Sequence, residues 1–320
     1  MMNDWANSDS FVFIIGSPRS GTTVLGEILD KHHEISQWYE PYFVWDRYFR
    51  NHPHDERSAE EATSKIKKQI FTEFLRYKRK TGSRIVVDKS PRNSLKIPFI
   101  MRIFPQARFI HLLRDGRDVT LSIHKEWIRR RKIVQNSQNN NKFNYKRVFS
   151  VVKEWLNRQP FLKDKIRSLW FETHGHFFNK TLHLNRLRWN GEIGWGPRFK
   201  GWNEFIYQKS ILNFNAYQWL RCVESIGMYW PEIPAENKLE LRYEDLISES
   251  EKNIINILEF LNLRNYEEFF HSVPKLKKNN FNKWRNEFSK EQANEVHEIL
   301  TPMLIKLGYE KNHDWPSLIY

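Results

Sequence analysis

The sequence predicts a three-layer α/β/α fold with a central parallel sheet, and three features of the 320 residues point to it. Short apolar runs rich in β-branched residues recur along the chain. Stretches with apolar residues at helical spacing separate them, and two of the runs end in loops carrying glycine and arginine. Alternation of this kind builds βαβ units with right-handed crossovers and helices on both faces of the sheet.

Each element has its own signal. Phe11-Val-Phe-Ile-Ile-Gly16 is a buried strand stopped by glycine, and Val24, Leu25, Ile28 and Leu29 make Thr22 to Lys31 a helix. Ser58 to Thr81 reads as helical. Arg84 to Lys89 (RIVVDK) and Ala107 to Leu113 (ARFIHLL) are short enough to be fully buried strands. Asn93 to Phe104 between them reads as a helix distorted by Pro98, and Asp118 to Lys132 as the next helix. Periodicity weakens over 133–209, which contains an Asn/Gln-rich patch at Gln135 to Asn141 and a Gly/Trp-rich stretch from Trp189 to Trp202. That region is expected to be an insertion or lid facing the acceptor, in a chain that otherwise forms one domain over 1–320. Lys209 to Trp230 returns to a helix, Leu239 to Tyr243 is a strand, and Ser248 to Leu263 is a helix. Ser289 and Gln292 form a capping box opening a last helix that ends near Gly308, bent by Pro302.

Composition narrows the function. With 40% hydrophobic and 28% charged residues, the chain buries a core and is not disordered. Fifty-two Lys and Arg against 38 Asp and Glu give a formal charge of +14, which favours anionic partners without choosing among a nucleotide, nucleic acid, an acidic glycan or a membrane surface. The apolar run at Phe11 is far too short to span a bilayer and lacks a signal peptide's flanks, so no membrane span is expected. The single Cys222 cannot form an internal disulfide and reads as a buried hydrophobe, in keeping with a reducing cytoplasm. No metal site is expected: there is no HExxH, and His174 with His176 is too sparse a pair for zinc.

Chemistry concentrates in the loop Gly16-Ser-Pro-Arg-Ser-Gly-Thr-Thr23. It follows a strand and opens a helix, where backbone N–H groups and a helix N-terminus cradle an anion. Ser17, Ser20, Gly21, Thr22 and Thr23 supply amides and hydroxyls, and Arg19 offers a guanidinium fork for phosphate or sulfonate oxygens. The spacing is that of a nucleoside-triphosphate loop, but Thr22 stands where such a loop carries its lysine, which weakens a kinase or ATPase reading. Arg114 ends a strand and Ser122 lies on the helix after it, so both converge on one anion at the C-terminal edge of the sheet.

PRSGTT after an apolar strand resembles the 5'-phosphosulfate loop of the sulfotransferases, especially the branch containing the tyrosylprotein enzymes. Asp88-Lys-Ser-Pro91, Phe104-Pro105, Arg114-Asp-Gly-Arg117 with Ser122, and Tyr243-Glu-Asp-Leu246 resemble that branch in order and spacing. The resemblance covers Phe11 to Ser122 and Leu212 to Leu263, outside the middle insertion. It implies sulfuryl transfer from 3'-phosphoadenosine 5'-phosphosulfate to an acceptor hydroxyl, leaving adenosine 3',5'-bisphosphate, with no metal.

The same resemblance assigns roles. Arg114 and Ser122 hold the 3'-phosphate, Tyr243 sits against the adenine, and Lys283 and Arg285 in Asn279-Asn-Phe-Asn-Lys-Trp-Arg285 belong to a basic loop closing over the nucleotide. Lys89 is aimed at the bridging oxygen between sulfate and nucleotide. Glu40, twenty-one residues after Arg19, takes the place of the catalytic glutamate and is the candidate general base. His32, His33 and His111 rank below it, the first two reading as a helix C-cap and the third as a core residue. Where the branch carries an arginine two residues after its glutamate, this sequence has Tyr42, so a glycan, lipid or small-molecule hydroxyl is favoured over peptide tyrosine. Trp170, Trp189, Trp195 and Trp202 are candidate acceptor platforms. Two alternatives stay open: a P-loop small-molecule kinase, and a non-catalytic basic protein binding nucleic acid or acidic glycan.

Overall fold

In the computed structural model, described over residues 8–49, 52–138, 188–189, 192–193, 195–264, 266–273, 276 and 280–319, five parallel strands form one sheet. They are β1 (Phe11–Ile15), β2 (Ile35–Tyr39), β3 (Ile85–Lys89), β4 (Arg108–Leu113) and β5 (Lys238–Arg242), in the order β2-β3-β1-β4-β5. The helices are α1 (Thr22–Leu29), α2 (Tyr42–Trp45), α3 (Ser64–Thr81), α4 (Ile97–Ile103), α5 (Gly116–Gln138), α6 (Trp202–Gln208), α7 (Ile211–Tyr229), α8 (Tyr243–Ser248), α9 (Ser250–Phe260), α10 (Tyr266–Ser272), α11 (Trp284–Glu287) and α12 (Lys290–Lys306). A separate antiparallel pair joins Arg188–Trp189 to Glu192–Ile193.

Residue alternation along β1 sorts the two faces. Phe11, Phe13 and Ile15 pack with Phe71 and Phe74 of α3, Ile100 and Ile103 of α4, Trp38 and Trp45. Val12 and Ile14 face the other way, onto Leu25 and Ile28 of α1 and Ile254 and Leu258 of α9. Each such fully buried side chain contributes about 1.5–3 kcal/mol, and both sheet faces are covered, as a parallel sheet requires. A third core gathers α5, α7 and α12 around Trp127, Trp219, Trp284 and Trp315. Cys222 is buried there, in α7, and burial pushes its thiol pKa up.

Several boundaries differ from expectation. β2, with polar Ser36 and Gln37, is an additional strand at the sheet edge. Helix α3 begins only at Ser64, where the Thr63 hydroxyl accepts from the Ile66 amide. Pro98 does not distort a single helix. The chain makes a 3-10 turn over Pro91–Leu95, breaks at Lys96, and starts α4 afresh with Pro98 in its first turn, where no N–H is needed. The stretch 209–230 is likewise preceded by a separate α6, and Ser210 caps α7 by accepting from the Asn213 amide. Ser289 and Gln292 do form the capping box of α12. Of the expected 133–209 insertion, 133–138 continue α5, and Phe199 and Trp202 are buried in the third core. Trp170, His174 and His176 lie outside the described residues.

This strand order places the site. The connection leaving β1 runs toward β2 while the one leaving β4 runs toward β5, so a crevice opens at the C-terminal ends of these two adjacent strands. Both arginine-bearing loops emerge there.

Candidate active site

The first loop is held by glycines and by a buried serine. Gly16 donates its N–H to the Ser94 hydroxyl, 3.0 Å away, and the same hydroxyl donates to the Gly16 carbonyl at 2.9 Å. Ser20 turns inward, its hydroxyl donating to the Ser17 carbonyl at 2.7 Å, so Ser17 and Ser20 form the buried floor of the loop. Gly21 has φ +98, and a Cβ there would lie 2.4 Å from the Tyr243 ring, so only glycine fits. Arg19 also takes a left-handed backbone, φ +67. Thr22 opens α1, whose N-terminus has no side-chain cap, and Arg19, Gly21, Thr22 and Thr23 line one wall of a cavity of about 610 Å³.

Two arginines converge across that wall. Arg19 donates through Nε to the Ser122 hydroxyl at 2.9 Å, and its guanidinium pKa is lowered, first by burial. Arg114 donates one terminal nitrogen to the Arg19 carbonyl at 2.9 Å and the other to the Asn280 carbonyl at 2.8 Å. Its guanidinium lies 4.1 Å over the Tyr243 ring and 3.6 Å from Asp118, and its buried Nε has no hydrogen-bond partner among the described residues. Asn280 in turn donates its amide to the Tyr243 hydroxyl at 2.7 Å. The loop turn Arg114-Asp-Gly-Arg117 is fixed from below by Trp219, which donates to the Arg114 carbonyl at 3.2 Å and stacks so close to Gly116 that a Cβ would meet the ring at 2.7 Å. Arg117 turns the other way, pairing with Asp115 and Glu310 and stacking 3.8 Å over Trp284.

Glu40 and Lys89 meet at the other end of the cavity. β2 and β3 are parallel with Tyr39 opposite Lys89, which brings the Lys89 ammonium 4.3 Å over the Tyr39 ring and 2.6 Å from Glu40 Oε1. The Lys89 side chain is 1% exposed and that of Glu40 17%, so the carboxylate is the partner open to the cavity. Glu40 has φ +44, unusual for a residue with a Cβ.

Helix α5 supplies a third wall. Asp118, Ser122, Lys125, Glu126 and Arg129 fall on one helical face and line the cavity together. Ser122 was expected there. The others follow from its helical period. Trp195 also lines the cavity, its carbonyl held by Trp127 Nε1 at 3.1 Å and Gln218 at 2.9 Å, whereas Trp202 is buried and donates to the Pro53 carbonyl. Lys283 lines the cavity. Arg285 does not, and stacks 4.6 Å over Trp284 instead. His32, bonded to the Arg264 carbonyl, and His111, 2.8 Å from Glu240, both lie away from the lining. Among the described residues no group of His, Cys, Asp and Glu is arranged to hold a metal, and no helix is long and apolar enough to cross a membrane.

Residues 11–172, just over half of the sequence, match the model of the sulfotransferase family. The chain belongs to that family. This sulfotransferase-family chain is 28% identical over 130 residues to the nodulation protein NoeE of Sinorhizobium fredii, covering 36% of this chain and 31% of that protein. It is 27% identical over 124 residues to a putative protein-tyrosine sulfotransferase of Caenorhabditis briggsae (37% and 44% covered). It is 25% identical over 178 residues to the omega-hydroxy-beta-dihydromenaquinone-9 sulfotransferase Stf3 of Mycobacterium tuberculosis (37% and 46% covered). These matches span less than half the length of each relative. The sulfotransferase domain of the Synechococcus PCC 7002 olefin synthase overlays 92% of this chain and 94% of its own, with a TM-score of 0.49 at 14% identity.

Proposed function

We propose that this sulfotransferase-family chain transfers a sulfuryl group from 3'-phosphoadenosine 5'-phosphosulfate to an acceptor hydroxyl, with Glu40 as general base. The reading is carried by one observation: a single cavity holds an uncapped helix N-terminus beside Arg19, whose Nε reaches Ser122, together with Arg114 and the Lys89–Glu40 pair.

The residues present suit the donor. Among the described residues the buried Nε of Arg114 has no hydrogen-bond partner, and the Gly21 cradle is closed to a side chain by the Tyr243 ring, which lies ready to flank a base. In this assignment the loop amides, Thr22, Thr23 and Arg19 bind the 5'-phosphosulfate, Arg114 and Ser122 bind the 3'-phosphate, and Lys283 approaches from the closing loop.

Glu40 accepts the acceptor hydroxyl's proton as the new oxygen–sulfur bond forms. The bond from sulfur to the bridging oxygen breaks, its electron pair stays on the nucleotide's phosphate, and Lys89 neutralises the charge that develops there. Such transfer rests on alignment and electrostatics, by analogy with phosphoryl transfer. A lone buried cysteine is consistent with a reducing cytoplasm.

Calorimetry is expected to detect adenosine 3',5'-bisphosphate binding without Mg²⁺, and equal affinity for 5'-AMP would overturn the 3'-phosphate assignment. With labelled donor and a panel of hydroxylated glycans, lipids and peptides, Glu40→Ala is expected to lower kcat roughly 100-fold while leaving bisphosphate affinity near wild type. Near-normal turnover eliminates Glu40 as the base.

A further inference from the structure

Asp88 immediately precedes Lys89 in β3 and points to the opposite face of the sheet, into the aromatic core with Trp45. It is completely buried, and each of its carboxylate oxygens is engaged: Oδ2 accepts from Trp45 Nε1 at 2.7 Å and Oδ1 from the Ser90 hydroxyl at 2.7 Å. A carboxyl in such surroundings is expensive to keep ionised, and burial raises its pKa to about 6. Trp45 ends α2, the four-residue helix that begins two residues after Glu40, and its ring is wedged between Phe13 and Phe74 at 6.0 and 5.3 Å.

The Glu40 turn and α2 are also held by Arg92, which donates to Asp46 at 3.2 Å and lies 4.1 Å over Tyr42, and by Phe43 against Trp38, and the Asp88–Trp45 bond adds a link that starts from the strand residue next to Lys89. Helix α2 is too short to be stable alone and has no side-chain cap, and Glu40 itself takes a left-handed backbone conformation that non-glycine residues disfavour. On the main chain, Glu40 donates to the Lys89 carbonyl at a long 3.3 Å. Asp88 therefore links the strand that carries Lys89 to the helix that follows Glu40, from the side of the sheet away from the cavity.

We infer that Asp88 and Trp45 form a positioning tie that holds the Glu40 carboxylate at its working place beside Lys89. Neither residue touches the cavity, and the inference rests on the assignment of Glu40 as base. In Asp88→Asn the amide nitrogen meets a donor, Trp45 Nε1 or the Ser90 hydroxyl, so one bond is lost. In Trp45→Phe the ring stays and only its donor is removed.

The test measures kcat, acceptor KM and bisphosphate affinity for both variants, alone and combined with Glu40→Gln. Each single variant is expected to lower kcat about tenfold with bisphosphate affinity within about twofold of wild type, and to cost less than about twofold once Glu40 is already Gln. If Asp88→Asn fails to fold, Trp45→Phe carries the test. The tie alone is overturned if folded variants keep wild-type kcat, if their loss persists undiminished in the Glu40→Gln background, or if bisphosphate affinity falls in step with kcat. If Glu40→Gln leaves wild-type turnover unchanged, the base assignment falls and takes the tie with it.

Discussion

The two ends of the cavity are built differently. Around Arg114 the parts come from distant stretches of chain: Arg19, Ser122, Tyr243 and Asn280 are brought together by the sheet order and by a late loop. Around Glu40 they come from two paired strands, with Tyr39 opposite Lys89 and a buried carboxylate bracing the next helix. The first end depends on tertiary closure and so suits capture and release. The second is part of the sheet and suits alignment, which tolerates least movement.

Variants at the two ends are expected to separate binding from turnover. The largest effect is expected at Arg114→Ala, which removes the shared guanidinium and leaves Asp118 buried without its cation. Bisphosphate affinity measured by calorimetry should fall roughly a thousandfold, about 4 kcal/mol.

Next is the pH dependence of stability at Asp88. Its raised pKa means the folded protein holds a proton that the unfolded chain has already released. The stability from that proton is full below about pH 4 and is lost as pH rises through about 6. From pH 4 to 7, wild type should lose up to about 3 kcal/mol relative to Asp88→Asn, read from urea melts at the two pH values.

Gly21→Ala should reduce unfolding free energy by about 2 kcal/mol, since the added methyl meets the Tyr243 ring and the backbone is left-handed. Weakened bisphosphate binding should accompany it, and an unchanged melting curve would mean that the ring moves aside. The smallest contrast is between Lys283 and Arg285. Lys283→Ala should weaken bisphosphate binding up to about fivefold and Arg285→Ala less than about twofold, because only the first faces the cavity.

How far the site could be read in advance followed from where its residues sit. Arg19, Lys89 and Arg114 stand at or just past the C-terminal ends of strongly apolar strands that are plain in the sequence, whereas Tyr243 follows the more polar KLELR strand. β2 was not legible, because as an edge strand it keeps Ser36 and Gln37 partly exposed and lacks an apolar run. Its absence also hid the reason Glu40 reaches Lys89. Asp118 and Arg129 could have been found by counting helical turns from Ser122. The grip of Asn280 on Arg114 could not, since it is made by a main-chain carbonyl that any residue carries.

One consequence follows from the resting partners of Arg114. With its terminal nitrogens already held by two main-chain oxygens, the guanidinium is oriented before any ligand arrives. An incoming anion therefore meets a preorganised receptor and need only displace or share those oxygens, so the rotational freedom of the side chain has been given up during folding instead of at the moment of encounter.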